Sequence, residues 1–171
     1  RGYKYLFIFY HQDTNIIMVE PLKTRHQNDI INAFTTFHKL FKSNGFHLKH
    51  HVMDNEASSS FTSYLSQHNI TYQLVPPYTH RSNPAERAIQ TYKHHFIAGL
   101  SSTNPSFPIH LWCRLIPQAN ITLNLLRSSN INPSLSAYSM LYGNFNYQST
   151  PMLPPGTKLM VHLKPAQHKT W

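Results

Sequence analysis

Acidic residues are scarce in this chain. Among 171 residues there are six carboxylates, Asp13, Glu20, Asp29, Asp54, Glu56 and Glu86, against 15 Lys and Arg, for a formal charge of +9. Any chemistry that uses acids to bind a metal or move a proton must draw on those six. Cysteine is almost absent: Cys113 stands alone, which excludes an intrachain disulfide framework and a multi-cysteine zinc ribbon. No apolar run reaches the roughly 18–20 residues of a membrane-spanning helix. No charged stretch followed by an apolar one opens the chain as a secretory signal would. The expectation is a soluble, intracellular, non-secreted protein with no membrane partner. What is present is a core's worth of apolar mass, 40% hydrophobic and 13% aromatic residues, which argues against disorder. The length suits one domain of ordinary size. The basic surplus points to a polyanionic partner, nucleic acid ahead of a membrane surface.

Residues 3–10 are aromatic and β-branched and predict a strand; residues 16–21 predict a second. The polar turn His11-Gln12-Asp13-Thr14-Asn15 joins them as a hairpin. The first strand starts so close to Arg1 that the chain reads as a truncated fragment. Over residues 25–43, Ile30, Ile31, Phe34, Phe37, Leu40 and Phe41 recur at helical spacing, and Asn44-Gly45 ends the helix. A strand is expected over 46–53, a helix over 58–68 with Phe61, Tyr64 and Leu65 on one side, and a strand over 70–75 stopped by Pro76-Pro77. Asn83-Pro84 starts a helix that runs to about Leu100, with Asn as cap and Pro in the first turn. Its predicted apolar stripe is Ala85, Ile89, Tyr92, Phe96 and Leu100. Another helix, 109–127, carries Trp112, Leu115, Ile116, Ala119, Leu123 and Leu126 on one face, and Pro117 kinks or splits it. A last strand is expected at 158–163. The order β-β-α-β-α-β-α-α predicts an α/β layer with a mixed sheet flanked by helices. Residues 1–128 read as the core. Residues 129–171 read as an extension that drapes over it or links to a further domain.

Asp54 follows an apolar strand end, where α/β sheets gather functional groups; taken alone, it reads first as a residue that turns the chain or caps the next helix. Glu86 lies in the first turn of a helix, where an acid also favours the dipole. On a helix of 3.6 residues per turn, Glu86, Gln90 and Lys93 share a face, with Arg87, His94 and His95 further round. An acid above a basic row suits a metal-binding carboxylate beside a phosphate backbone. The 31 residues between Asp54 and Glu86 leave room for the two acids to meet, and hard Mg²⁺ needs several oxygen ligands together.

Val52-Met53-Asp54-Asn55-Glu56 with Ser60-Phe61, then the NITYQLVPP stretch from Asn69, then Tyr78-Thr79-His80-Arg81-Ser82-Asn83-Pro84-Ala85-Glu86-Arg87, resemble the catalytic core of retroelement integrases. The YKHHFIAGL stretch from Tyr92, His110-Leu111-Trp112 and Leu123-Asn124-Leu125-Leu126-Arg127 look like the continuation of that family in LTR retrotransposon polyproteins. The resemblance covers nearly the whole chain. It implies an RNase H-like fold and an Asp, Asp, Glu triad binding Mg²⁺ or Mn²⁺. It also implies DNA integration by 3′-end processing and strand transfer, on element ends and target DNA. A homo-oligomer when complete and nuclear action follow from the same likeness. By match, Asp54 is the second acid and Glu86 the third, both catalytic and both metal ligands. Lys93, Arg87, Arg81, Gln90 and His80 would contact nucleic acid.

The family's first Asp lies on a strand before the hairpin, so that acid and its strand are expected to be missing here. Enzymatic competence of the chain by itself is therefore left open, with a DNA-binding remnant as the alternative. A plain interaction domain whose charge serves solubility is a third class. Asp13 reads as turn chemistry, and Glu20 and Glu56 as solvated acids. His50-His51 and His94-His95 lack a zinc pattern, since adjacent side chains diverge. Cys113 beside His110 reads as packing. Asn69-Ile70-Thr71 and Asn120-Ile121-Thr122 match the glycosylation triplet by chance in a chain without a secretory signal.

Overall fold

The computed structural model describes residues 2–53, 58–75, 84–154 and 157–160. Its elements are β1 (Tyr5–His11), β2 (Ile16–Leu22), α1 (Gln27–Ser43), β3 (His50–Met53), α2 (Ser59–Gln67), β4 (Thr71–Leu74) and α3 (Pro84–Ser101). A 3₁₀ segment (Ile109–Leu115), α4 (Ile116–Leu126) and α5 (Ala137–Tyr142) follow. β1 and β2 form the expected antiparallel hairpin, with Phe9 opposite Met18 and His11 opposite Ile16. Asn15 closes its turn at φ +58°, a left-handed conformation that Asn tolerates better than most residues. β3 and β4 run parallel, with Met53 opposite Leu74, and α2 makes the crossover between them. The expected mixed sheet is thus realised, among the described residues, as two two-stranded ladders.

The period-2 alternation of the hairpin sorts its side chains into two cores. Phe9, Ile16 and Met18 enter one, with Phe34, Phe37 and Phe41 of α1, Phe61 and Leu65 of α2, and Ala137 and Leu141 of α5. Ile17 and Val19 enter the other, with Ala88, Tyr92 and Phe96 of α3 and Ile116 and Leu123 of α4. The hairpin is therefore the middle layer of three. On the α1 side Phe9 meets three phenyl rings at 5.4–5.9 Å. Burying each such side chain contributes about 1.5–3 kcal/mol.

The local signals act as their chemistry predicts. Gly45 (φ +80°) ends α1, with Phe46 N–H donating to the Phe41 carbonyl at 2.9 Å. Ser58 caps α2 by accepting from Phe61 N–H at 3.2 Å. Pro84 opens α3, while Asn83 lies outside the described residues. Pro117 divides the long helical stretch into a 3₁₀ segment and α4, in whose first turn it sits.

Several expectations need correction. In α3 the buried positions are Ala88, Tyr92 and Phe96, while Ile89 is 46% exposed. Tyr92 and Phe96 hold their expected places, but near the helix start Ala88 rather than Ile89 turns inward toward the hairpin and α4. Leu126 is 80% exposed, since α4 ends there and the chain turns away. Helix α5 has no long-range periodicity to announce it; Ser136 caps it by accepting from Ser139 N–H at 3.0 Å, and its six residues insert only Ala137 and Leu141. Residues 158–160 are not in a strand, and the rest of that expected strand lies outside the described residues.

Candidate nucleic-acid and metal site

A groove of about 870 Å³ runs between β1 and β3. Consecutive residues of β1 and its turn, from Phe7 to Asp13, form one wall, and those from His47 to Met53 form the other. Phe34, Phe61 and Ile70 line its apolar base, and Arg25, Lys49, His47 and His50 bring positive or protonatable groups to it. Both strands turn an edge toward it, because β1 pairs with β2 and β3 with β4. The hairpin's other edge is covered. Asn124 of α4 accepts from Ile17 N–H at 2.9 Å and donates to the Ile17 carbonyl at 2.7 Å. Asn120, one turn earlier, donates to the Val19 carbonyl at 3.0 Å.

Neighbours of both expected acids line this groove. Met53, Ser58, Pro84 and Ala85 all line it; Asp54 follows the first of these in sequence and Glu86 follows the last. Glu86 is exposed in the first turn of α3. Asp54, His80 and Arg81 lie outside the described residues. From Glu86 the exposed residues Gln90 and Lys93 continue down the helix at steps of four and three, and Arg87 is exposed beside them. The helical face read from the sequence is therefore a solvent-facing row, and Ile97, 49% exposed, extends it.

Other acids have structural surroundings. Asp13 is exposed in the hairpin turn, and its backbone carbonyl accepts from Ile131 N–H at 3.1 Å. Glu20 is half-buried, and desolvation raises its pKa. Asp29 accepts from Thr24 Oγ1 at 2.6 Å in the first turn of α1. Among the described residues no group of three or more His, Cys, Asp or Glu converges. The adjacent histidines diverge: His50 contacts Thr71 Oγ1 at 2.9 Å, whereas His51 packs against Phe34 and Phe61. His95 Nε2 contacts Thr122 Oγ1 at 2.8 Å, and His94 is exposed. Cys113 is buried in the α3–α4 core. Arg25 and Lys49 are the groove residues the sequence reading missed. They lie outside the regular elements and carry no periodic signal; only the tertiary fold brings them there.

No protein-family model matches the sequence, and no characterised protein matches it by sequence. Solved structures do match its fold. The HTLV-2 integrase catalytic core domain in complex with magnesium is 20% identical, with a TM-score of 0.59 over 80% of this chain and 84% of that one. The BIV integrase catalytic core is 14% identical, with a TM-score of 0.56 over 80% and 84%. A simian T-cell lymphotropic virus intasome chain is 17% identical, with a TM-score of 0.60 over 93% of this chain and 54% of that one. The chain has the RNase H-like fold of retroviral integrase catalytic cores.

Proposed function

We propose that this chain is the integrase core of a retrotransposon polyprotein and acts on DNA, through 3′-end processing and strand transfer. The observation that supports the reading is a groove in an integrase-core fold, lined by both the end of β3 and the start of α3, with Glu86, Gln90 and Lys93 forming an exposed row on that helix. Asp54 and Glu86 are proposed to hold Mg²⁺ or Mn²⁺. An exposed carboxylate at a groove edge fits a hard cation that keeps several waters. Such an ion supplies charge neutralisation at the phosphate and an activated oxygen nucleophile. Lys93, Arg87, Gln90, Arg81 and His80 are proposed to position the backbone phosphates of the element end and target. Water would attack the phosphorus and the 3′ oxygen would leave; the freed 3′-hydroxyl would then attack a target phosphodiester and displace its 3′ oxygen, so that each bond formed is matched by one broken.

The groove also bears on the expected first strand. Two strand edges turned toward one apolar slot suit a further strand between them. A strand there would carry the first acid of the triad up to Asp54 and Glu86. The second reading, a DNA-binding remnant, is favoured by one fact: of the six carboxylates, only Asp54 and Glu86 combine position with family match. The test incubates the chain, and a version extended upstream by about 20–30 residues, room for a strand and its turn, with Mn²⁺ and element-end DNA. Strand-transfer product from the extended chain, lost in Glu86→Gln, supports the enzyme. Salt-dependent DNA binding without product supports the remnant. Absence of DNA binding overturns both.

A further inference from the structure

We propose that His38 and His68 form a binding site for a divalent transition ion of the zinc class, clipping α1 to α2. Neither residue lines the groove, and thirty positions separate them in sequence. His38 is half-buried on α1; His68 caps the C-terminus of α2 and is exposed. Their rings stand 5.0 Å apart, centroid to centroid, at 84°. Two imidazoles bound to one tetrahedral ion have nearly this separation. With nitrogen–zinc bonds of 2.0–2.1 Å, each centroid lies about 3.2 Å from the metal, and a tetrahedral angle sets the centroids about 5 Å apart.

Tyr64 holds both rings in place. Its hydroxyl lies 3.2 Å from His38 Nδ1, which leaves Nε2 as the ligating nitrogen. Its ring packs against His68 at 4.4 Å. A polar partner on the non-ligating nitrogen is the arrangement that orients metal-binding histidines. On metal binding Nδ1 carries the proton and donates it to the Tyr64 oxygen. Imidazole pairs suit Zn²⁺, Ni²⁺ and Cu²⁺ rather than Mg²⁺, so this site is chemically separate from the carboxylates proposed for the groove. Water completes the coordination. The clip would fasten α2, the helix that begins at Ser59, shortly after Asp54 in sequence.

The test is calorimetric titration of the whole chain with Zn²⁺, alongside His38→Ala, His68→Ala, Tyr64→Phe and, as a control, His110→Ala. The expected result is one site of highest affinity in the wild type, weakened at least about ten-fold in His68→Ala and His38→Ala, and less in Tyr64→Phe. His110→Ala should titrate as wild type. Zn²⁺ should raise the melting temperature of the wild type and not of His68→Ala, a substitution at an exposed position that leaves the core intact. Unchanged affinity and stoichiometry in His68→Ala would overturn the proposal.

Discussion

Asn124 makes both backbone hydrogen bonds of Ile17 with one side chain, accepting from its N–H at 2.9 Å and donating to its carbonyl at 2.7 Å. An amide side chain on a helix thereby takes the place of a neighbouring strand. The pair is buried, and it closes the edge of the hairpin that faces α4. One turn earlier Asn120 makes only half of this arrangement: it donates to the Val19 carbonyl, while its own Oδ1 is buried without a hydrogen-bond partner among the described residues.

Asn124→Leu should therefore cost about 3 kcal/mol, because it leaves a buried donor and a buried acceptor unpaired. Urea denaturation checks this. A loss below about half a kcal/mol, the usual range for a surface substitution, would show that water replaces the amide without penalty.

Tyr92→Phe should act in the opposite direction. Tyr92 is fully buried between the hairpin and α4, and its hydroxyl has no hydrogen-bond partner among the described residues. Desolvation raises its pKa, so the group stays neutral. Removing an orphaned hydroxyl should stabilise the fold by about 1 kcal/mol. A lower urea midpoint in the variant would mean that the hydroxyl finds a partner in solution.

Much of this layer was legible in the sequence. The hairpin, α1 and the Pro117 break rest on local chemistry: alternating apolar residues, a glycine stop, a missing N–H. The exposure of Ile89 and Leu126, and the existence of α5, were not legible, because they depend on which element packs from which side. The row Glu86, Gln90 and Lys93 followed from helical spacing. Arg25, Lys49 and the His38–His68 pair did not, since residues far apart in sequence leave no periodic trace.

Acid should weaken the fold before it reaches ordinary carboxylate pKa values. Burial against Phe34 and Phe61, aided by His50, pushes His51 down to about 4. The unfolded chain takes up that proton near pH 6.5, so stability is full above this value and falls as pH drops toward 4. Glu20 opposes the trend: its raised pKa favours the folded state at low pH and loses that contribution as pH rises. His51→Leu should flatten the decline between pH 6.5 and 4 in urea midpoints measured across that range. An unchanged slope would assign the acid limb to other groups.

Lys93→Ala should weaken DNA binding and lower the slope of log affinity against log salt by about one unit, the effect of one lost phosphate contact. Stability should stay within about half a kcal/mol, as for an exposed helix position. An unchanged salt slope would make Lys93 a solvated charge with no part in binding.

Asp54 and Glu86 are proposed to converge on one divalent ion at the groove. Paramagnetic broadening by Mn²⁺, read residue by residue in amide NMR spectra of the chain, tests it most directly. Low Mn²⁺ should broaden two separate stretches together: Met53 at the end of β3 with Ser58, the cap of α2, and Ala85 to Ala88 at the start of α3. Both effects should vanish in Asp54→Asn and also in Glu86→Gln. Broadening of one stretch alone, or persistence of both in either variant, would contradict it.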